Sequence, residues 1–125
     1  MKMYLLFSHK LTDEQIKDAK NSLGIGEFIY LPKSLQNVWS NIPAELETLD
    51  EILIHIKNFL NKAKKGDYVL VQGDFGAVYQ MVNFAKSLGL IPIYATTKRE
   101  SVELKIDNKV VKKSIFRHIR FREYL

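Results

Sequence analysis

The sequence predicts an α/β fold in which a parallel sheet is flanked by helices and followed by a C-terminal antiparallel β-hairpin. Four short apolar runs lack strict alternation, which is typical of strands buried on both faces of a parallel sheet. Segments with helical spacing separate these runs, as in repeated strand–helix–strand units. After Ser101 apolar and polar residues alternate, and Asp107-Asn108 is a turn signal, which together indicate a hairpin. The four runs are Met3–Phe7, Phe28–Leu31, Tyr68–Val71 and Ile91–Ala95.

The helices are predicted from apolar positions three and four residues apart and from the residues at their ends. Thr12 and Gln15 fit a capping box, so the first helix should follow Thr12 and end at Gly24. The turn after the third strand is followed by apolar positions at helical spacing up to Gly89. Between the second and third strands we expect a short helix over 34–42 and a longer one over 49–64.

Length and composition predict a single domain, residues 1–125, with a sizeable core. The net charge of +5 favours an anionic partner. No apolar run approaches the roughly 20 residues that span a bilayer, and the N-terminal apolar stretch is too short for a signal peptide. We therefore expect a cytoplasmic protein with no membrane partner. Because the chain has no cysteine, thiolate nucleophiles and cysteine-based zinc sites are excluded.

Polar loops follow the strands, and in open α/β sheets the loops at the carboxyl ends of the strands line the ligand crevice. The turn Gln72–Gly76 leads directly into a helix, whose N-terminal amides attract anions. We expect the fourth strand to end in a polar, basic loop, Thr96–Arg99, that forms a second wall of the same site. Ser8-His9-Lys10 leaves the first strand at the same edge. Hydroxyls, an amide, backbone donors and cations together suit a nucleotide.

Some of these residues also have a structural interpretation. His9 is either a proton carrier or a surface residue. Trp39 is either a platform for a base or a core residue. Asp74 either contacts a base or ribose or caps the following helix. The turn is not a Walker loop, because no Gly-Lys-Ser/Thr follows it, and no pair of histidines has metal-ligand spacing, so we predict neither a metal nor a cofactor.

The same blocks resemble the small, stand-alone ring nucleases of the Csx group in type III CRISPR systems. The most specific blocks contain Gln-Gly-Asp-Phe-Gly and Ala-Thr-Thr-Lys-Arg. The resemblance implies a CARF-like Rossmann domain that binds cyclic oligoadenylate as a homodimer. It also implies metal-independent cleavage of the cyclic tetra-adenylate second messenger to linear products ending in 2′,3′-cyclic phosphate, which switches off the antiviral effector nucleases. The resembling blocks are Leu6–His9, Tyr30–Pro32, Trp39–Pro43, Val69–Gly76, Pro92–Arg99 and His118–Arg122.

In the implied reaction a ribose 2′-hydroxyl attacks the adjacent phosphorus, so the protein must align the oxygens and stabilise added charge. We assign charge stabilisation to Lys98 and Arg99, and proton transfer to His9. The other candidate residues would bind phosphate, ribose or base. They are Ser8, Trp39, Gln72, Gly73, Asp74, Phe75, Gly76, Thr96 and Thr97.

Two other functions stay open on the sequence. A non-catalytic sensor or sponge would hold the cyclic messenger in the same pocket, because binding and in-line cleavage use the same residues. An RNA-binding module would use the basic terminal strand that carries Arg117, Arg120 and Arg122. For a ring nuclease, in contrast, no long nucleic acid is expected as a partner.

Overall fold

A computed structural model describes residues 1–125 as a five-stranded mixed sheet with four helices. The strand order is β2-β1-β3-β4-β5, in which the first four strands are parallel and β5 is antiparallel to β4. The predicted α/β fold with a mixed sheet is therefore confirmed. The strands are β1 (Lys2–Leu6), β2 (Glu27–Tyr30), β3 (Tyr68–Val71), β4 (Ile91–Ile106) and β5 (Lys109–Glu123). The helices are α1 (Asp13–Leu23), α2 (Lys33–Ser40), α3 (Ile54–Leu60) and α4 (Phe75–Ser87).

Helices cover both faces of the sheet, because successive side chains of each strand point to opposite faces and both sets are apolar. On one face, here called the α1 face, helix α1 packs on a core cluster that includes Met3, Leu5, Leu70, Ile93 and Phe121. On the other, here called the α4 face, residues of α2, α3 and α4 share a larger cluster with strand residues. Those strand residues are Tyr4, Leu6, Val69 and Val71.

Helix α1 has the predicted ends. The Thr12 hydroxyl accepts a hydrogen bond from the Gln15 amide at 3.2 Å, and Gln15 Oε1 accepts one from the Thr12 amide at 2.9 Å. This reciprocal pair satisfies two donors that the first helical turn would leave without partners. Gly24 then ends the helix with a φ of 68°, a left-handed conformation that glycine adopts without steric cost.

Strand β4 is much longer than predicted, and the prediction of a basic loop at Thr96–Arg99 is wrong. These residues continue the strand, which runs from Ile91 to Ile106 and pairs with β5 along most of its length. No glycine or proline interrupts the segment after Pro92, and its β-branched residues favour an extended chain. The predicted fourth strand and the first strand of the predicted hairpin are therefore one strand.

Helix α3 is shorter than the predicted helix over 49–64, since it covers only Ile54–Leu60. Leu53 precedes it and has no side-chain oxygen to cap the first turn. The short helix predicted over 34–42 is present as α2. No helix of the structure is long and apolar enough to cross a membrane.

The β4–β5 hairpin extends past the carboxyl edge of the parallel sheet. Its turn has positive φ angles of 49° at Asp107 and 62° at Asn108, as a tight two-residue hairpin turn requires. A β-bulge lies opposite Thr96 and Thr97, where the register with β5 shifts by one residue. Beyond the bulge, residues 98–117 form a projecting ribbon, here called the arm, in which only Glu100 and Val102 are even half-buried.

Candidate functional site

The candidate site is a crevice at the carboxyl edge of the sheet, between β1 and β3, where the connections from the two strands run in opposite directions along the sheet. Strand β1 leads through α1 to β2 on one side, and β3 leads through α4 to β4 on the other. Such a divergence leaves a crevice at the carboxyl ends of the two adjacent strands, where open α/β sheets bind ligands. Leu6 pairs with Val71 there, and the Gln72 amide donates to the Leu6 carbonyl at 3.0 Å. The exposed loops 8–10 and 73–76 therefore leave the sheet side by side.

Hydrogen bonds of Trp39 and Gln72 hold the turn after β3 against the core and against β4. The Trp39 indole is only 2% exposed, and its Nε1 donates to the Gln72 carbonyl at 2.9 Å. The Gln72 side chain is engaged as well, because its Oε1 accepts a hydrogen bond from the Ala95 amide at 2.8 Å. The structure thus gives Trp39 the core interpretation, and its buried ring offers no open face to a base.

Strands β3 and β4 separate after their last pair, Leu70 with Ile93. Two side chains then satisfy the freed backbone groups: Gln72 binds the Ala95 amide, and the Tyr124 hydroxyl donates to the Val71 carbonyl at 2.6 Å. Burial raises the pKa of Tyr124, and the neighbouring Tyr94 raises it further, so the hydroxyl keeps the proton that it donates. These contacts fix the end of β3 from which the turn starts.

The turn leaves two backbone donors free at the start of α4. Asp74 Oδ2 accepts a hydrogen bond from the Ala77 amide at 3.1 Å, which is the capping role considered from the sequence. The amides of Phe75 and Gly76 have no acceptor in the chain. A Cβ added to Gly73 would lie 3.0 Å from Trp39 Nε1, so the turn passes too close to the indole for a larger residue to fit without movement. The free amides and the helix dipole favour an anion.

A groove of about 340 Å³ lies beside these loops, over the ends of β1 and β2. Two predicted residues, Ser8 and His9, line it together with residues that sequence reasoning missed. The Gln36 amide group holds the loop by donating to the Phe7 carbonyl at 2.5 Å. The sequence did contain a signal for these residues. Because β1 and β2 are adjacent parallel strands, the segment that follows Tyr30 at the end of β2 must lie beside the loop that follows β1. The full lining is Ser8, His9, Lys10, Tyr30, Leu31, Lys33 and Gln36.

The predicted residues of β4 are not gathered at the crevice. The Thr96 hydroxyl bridges the bulge, since it donates to the Arg120 carbonyl at 3.0 Å and accepts from the Arg120 amide at 3.2 Å. Thr97 follows on the α1 face, where its partner across the ladder is His118. Both threonines therefore belong to the base of the arm.

Lys98 and Arg99 lie on opposite faces of the arm, because consecutive residues of a strand alternate. Lys98 is on the α4 face, which also holds the N-terminus of α4. Arg99 is on the α1 face, where its Nη2 donates to Ser114 Oγ at 2.9 Å and its guanidinium lies 6.0 Å from the centre of the Phe116 ring. Within one chain the two cations cannot approach the same phosphate from one side of the arm.

A polar pair that the sequence did not reveal, made of a buried imidazole and a half-buried carboxylate, fixes the base of the arm to α1. His118 Nε2 lies 2.7 Å from Asp18 Oδ2, and the imidazole side chain is only 5% exposed. Burial alone would raise the pKa of Asp18, but hydrogen bonds from Ser22 and His118 and the positive charges of His118 and Arg120 lower it overall. The pair is a structural contact across 100 residues of sequence.

The site has no cluster of three or more His, Asp or Glu residues that could hold a metal ion. Its chemical resources are free amides, hydroxyls, the His9 imidazole and the two lysines that line the groove, Lys10 and Lys33. These groups can bind an anion and transfer a proton.

Comparison with known proteins identifies the family but adds no solved structure, since none matches the chain. The chain is similar to the protein "Uncharacterized protein MJ1673" of Methanocaldococcus jannaschii, with 58% identity over 124 residues, which cover 98% of this chain and 96% of that protein. A family model matches residues 1–122. The chain therefore belongs to the family described as "Uncharacterized protein MJ1673 family".

Proposed function

We propose that the protein is a ring nuclease: a CARF-like Rossmann domain that cleaves cyclic tetra-adenylate without a metal and so switches off the antiviral effectors of type III CRISPR systems. The observation that carries the proposal is the crevice between β1 and β3. Strands β1 and β3 are paired and end at the same edge of the sheet. The Ser8-His9-Lys10 loop follows β1 there, and the turn with the free amides of Phe75 and Gly76 follows β3. Anion-binding amides beside a hydroxyl and an imidazole suit a phosphodiester substrate.

The size of the groove favours a homodimer as the active form. A volume of about 340 Å³ is at the low end of the roughly 300–1,000 Å³ that small-molecule sites span. It suits a single nucleotide, whereas the proposed substrate is a ring of four. Two copies related by a two-fold axis would present two such grooves to one symmetric ring. The proposal assigns this dimer to the cytoplasm.

The proposed reaction is an internal transfer that consumes no water. The ribose 2′-oxygen bonds to the adjacent phosphorus, its proton leaves, and the bond from phosphorus to the 5′-oxygen breaks while that oxygen gains a proton. The products are a linear chain with a 5′-hydroxyl and a 2′,3′-cyclic phosphate. His9 would move a proton, and the amides of Phe75 and Gly76 with Lys98 would stabilise the phosphate oxygens as charge builds up on them.

The experiment is incubation of the protein with radiolabelled cyclic tetra-adenylate in EDTA, with His9→Ala as the matched variant. A ring nuclease yields linear products with 2′,3′-cyclic phosphate ends, and His9→Ala yields them more slowly. Intact ligand that stays bound to the protein would replace the proposal with a sensor. A protein that neither binds nor cleaves the ring would remove both.

A non-catalytic sensor of the same ring is the second candidate, because several predicted site residues are held by hydrogen bonds within the protein. Trp39, Gln72 and Thr96 are committed to internal hydrogen bonds, and Arg99 is held by Ser114 on the far face of the arm. Fewer groups are therefore free for chemistry than the sequence predicted. Binding requires only the amides and cations, whereas cleavage also requires aligned oxygens and proton transfer.

A further inference from the structure

The two faces of the arm differ in how their apolar side chains are grouped. On its α4 face, five apolar side chains from β4 and β5 lie next to one another in a stripe, in which the exposed fractions of four members range from 40% at Ile115 to 54% at Ile106. Charged side chains flank this stripe, and they are Lys98, Glu100, Lys109, Lys113 and Arg117. The opposite face has two separate apolar side chains, Val110 and Phe116, among charged and hydroxyl groups. This division follows from the alternation along paired strands. The stripe consists of Val102, Leu104, Ile106, Val111 and Ile115.

Nothing in the chain covers this stripe. The side-chain hydrogen bonds and the ion pair of the arm stay within the arm: Arg99 binds Ser114, and Arg117 lies 3.9 Å from Glu100. A two-stranded ribbon that packs against nothing is marginally stable in water. An apolar face on such a ribbon is therefore expected to be covered by another surface.

A second apolar surface lies on the same side of the molecule, along α4. It is a groove of about 300 Å³ between α4 and the C-terminal residues. Phe75 is 94% exposed and Tyr79 is 71% exposed, although both belong to the apolar stripe of a helix. Large exposed aromatics in one patch mark interaction surfaces. The apolar lining is Phe75, Val78, Tyr79, Val82, Tyr124 and Leu125.

The charges of the two regions are opposite. The arm contains seven of the 19 Lys and Arg residues and three of the 14 Asp and Glu residues, so it carries most of the net charge of +5. The segment 45–51 contains four acidic residues and no basic one. It adjoins the start of α4, since Leu49 Cδ1 lies 3.5 Å from the position of a Cβ on Gly76. An arm that lies along the start of α4 would therefore meet this acidic segment, whereas Lys86 lines the groove towards the other end of the helix.

We propose that two copies of this chain exchange arms, each placing the apolar stripe of its arm in the α4 groove of the other. The arm begins at the sheet edge and runs away from its own α4, so the groove it fits belongs to a second copy. Each copy has both surfaces, which is the condition for a closed two-fold contact. The charge pattern favours this occupant, because the basic arm of one copy would meet the acidic segment of the other.

The contact reaches the lower end of the size range of stable dimers. One face of a ribbon about 30 Å long and about 10 Å wide covers about 300 Å² at the usual strand rise and spacing. Each copy contributes one arm and one groove, so the contact buries about 600 Å² on each copy, whereas stable complexes bury about 600–1,000 Å² on each partner. The inference does not depend on the cyclic ligand.

Light scattering on the full chain, without ligand, tests the exchange. The wild type is expected at twice the 14.5 kDa chain mass. Leu104→Glu places a charge in the apolar stripe and should give a monomer. Ser101→Glu makes the same change of charge on the opposite face and should stay dimeric. A monomeric wild type at micromolar concentration, or a dimeric Leu104→Glu, would overturn the proposal.

A mixing experiment separates the exchange from other dimers. Tyr79→Glu damages only the groove, so it should also be monomeric, and circular dichroism shows whether either variant is unfolded. When Leu104→Glu and Tyr79→Glu are mixed, one intact arm meets one intact groove, and heterodimers should form that neither variant forms alone. If Tyr79→Glu remained dimeric, the arms would pair with each other instead. If a monomeric wild type bound single-stranded RNA through the arm, the RNA-binding alternative would replace the proposal.

Discussion

Replacing Trp39 by leucine tests whether this residue supports the β3–α4 turn or stacks on a ligand. The substitution removes the indole ring from the core, where it is 2% exposed, and it leaves the Gln72 carbonyl without its donor. The lost packing and the lost hydrogen bond both destabilise the folded state, because the indole is buried against the turn. We therefore expect a large loss of stability and, well below the unfolding temperature, a small change in ligand affinity.

The size of the effect follows from the two contacts. Truncation of a buried aromatic to alanine costs about 3–5 kcal/mol, and leucine refills part of that volume, which leaves about 2 kcal/mol. The unsatisfied carbonyl adds about 1–2 kcal/mol. A total of about 3–4 kcal/mol is a large share of the roughly 5–15 kcal/mol that stabilises a folded domain. For a chain of this length it corresponds to a fall in Tm of about 10–15 °C.

Urea and thermal unfolding measure this loss, and binding of cyclic tetra-adenylate is measured at a temperature where both proteins are folded. Ile54→Ala is the control, because Ile54 is 49% exposed and its truncation should stay within about 0.5 kcal/mol. Gly73→Ala approaches the same contact from the other side and should cost about 1–3 kcal/mol as its methyl group displaces the indole. A Trp39→Leu protein with an unchanged Tm and a tenfold weaker affinity would refute the supporting role.

The other predictions concern the arm, the crevice and the Asp18–His118 pair. Lys98→Ala should slow single-turnover cleavage of saturating cyclic tetra-adenylate by about 10² to 10³, whereas Arg99→Ala should change it little; equal losses would place both cations at the phosphate. His9→Ala should slow cleavage by about 10²; an unchanged rate would exclude proton transfer by His9. Despite burial, which raises it, the pKa of Asp18 is lowered by its hydrogen bonds and by the charge of His118, so its contribution to stability is present above the usual value of about 3.9 and is lost as the pH falls through the folded-state pKa. Asp18→Asn should therefore lower the urea midpoint at pH 7 and flatten its decline below about pH 4; an unchanged midpoint would show that the pair contributes nothing.

Local sequence signals predicted most of the fold because those features depend on neighbouring residues. The Thr12–Gln15 capping box, the glycine that ends α1 and the apolar runs of the parallel strands are all short-range patterns. The extension of β4 was missed because polar residues at Thr96–Arg99 resemble a loop when the partner strand is unknown. Pairing with β5 satisfies their backbone groups, and that pairing joins residues far apart in sequence.

The candidate site was predicted less well, because side-chain direction and burial depend on tertiary contacts. The two loops at the crevice could be predicted, since parallel strands bring their carboxyl ends to one edge. The sequence left two interpretations of Trp39 open, a base platform and a core residue, because its partner, the Gln72 carbonyl, lies 33 residues away. The opposite directions of Lys98 and Arg99 became apparent only once both were in a strand. The Asp18–His118 contact has no local signal at all.

The two proposals concern the same edge of the sheet. The arm begins at Lys98, just past the carboxyl ends of the parallel strands, and α4 begins at that edge as well. If the arms are exchanged about a two-fold axis, the carboxyl edges of the two copies approach each other, and the free amides at the start of each α4 come near the axis. A ring of four nucleotides would then contact two crevices at once, which neither copy can offer alone. A dimer with exchanged arms could also bind the ring without cleaving it, as a sensor would. Detection of the dimer is therefore no evidence of cleavage, which has to be shown by the appearance of linear products.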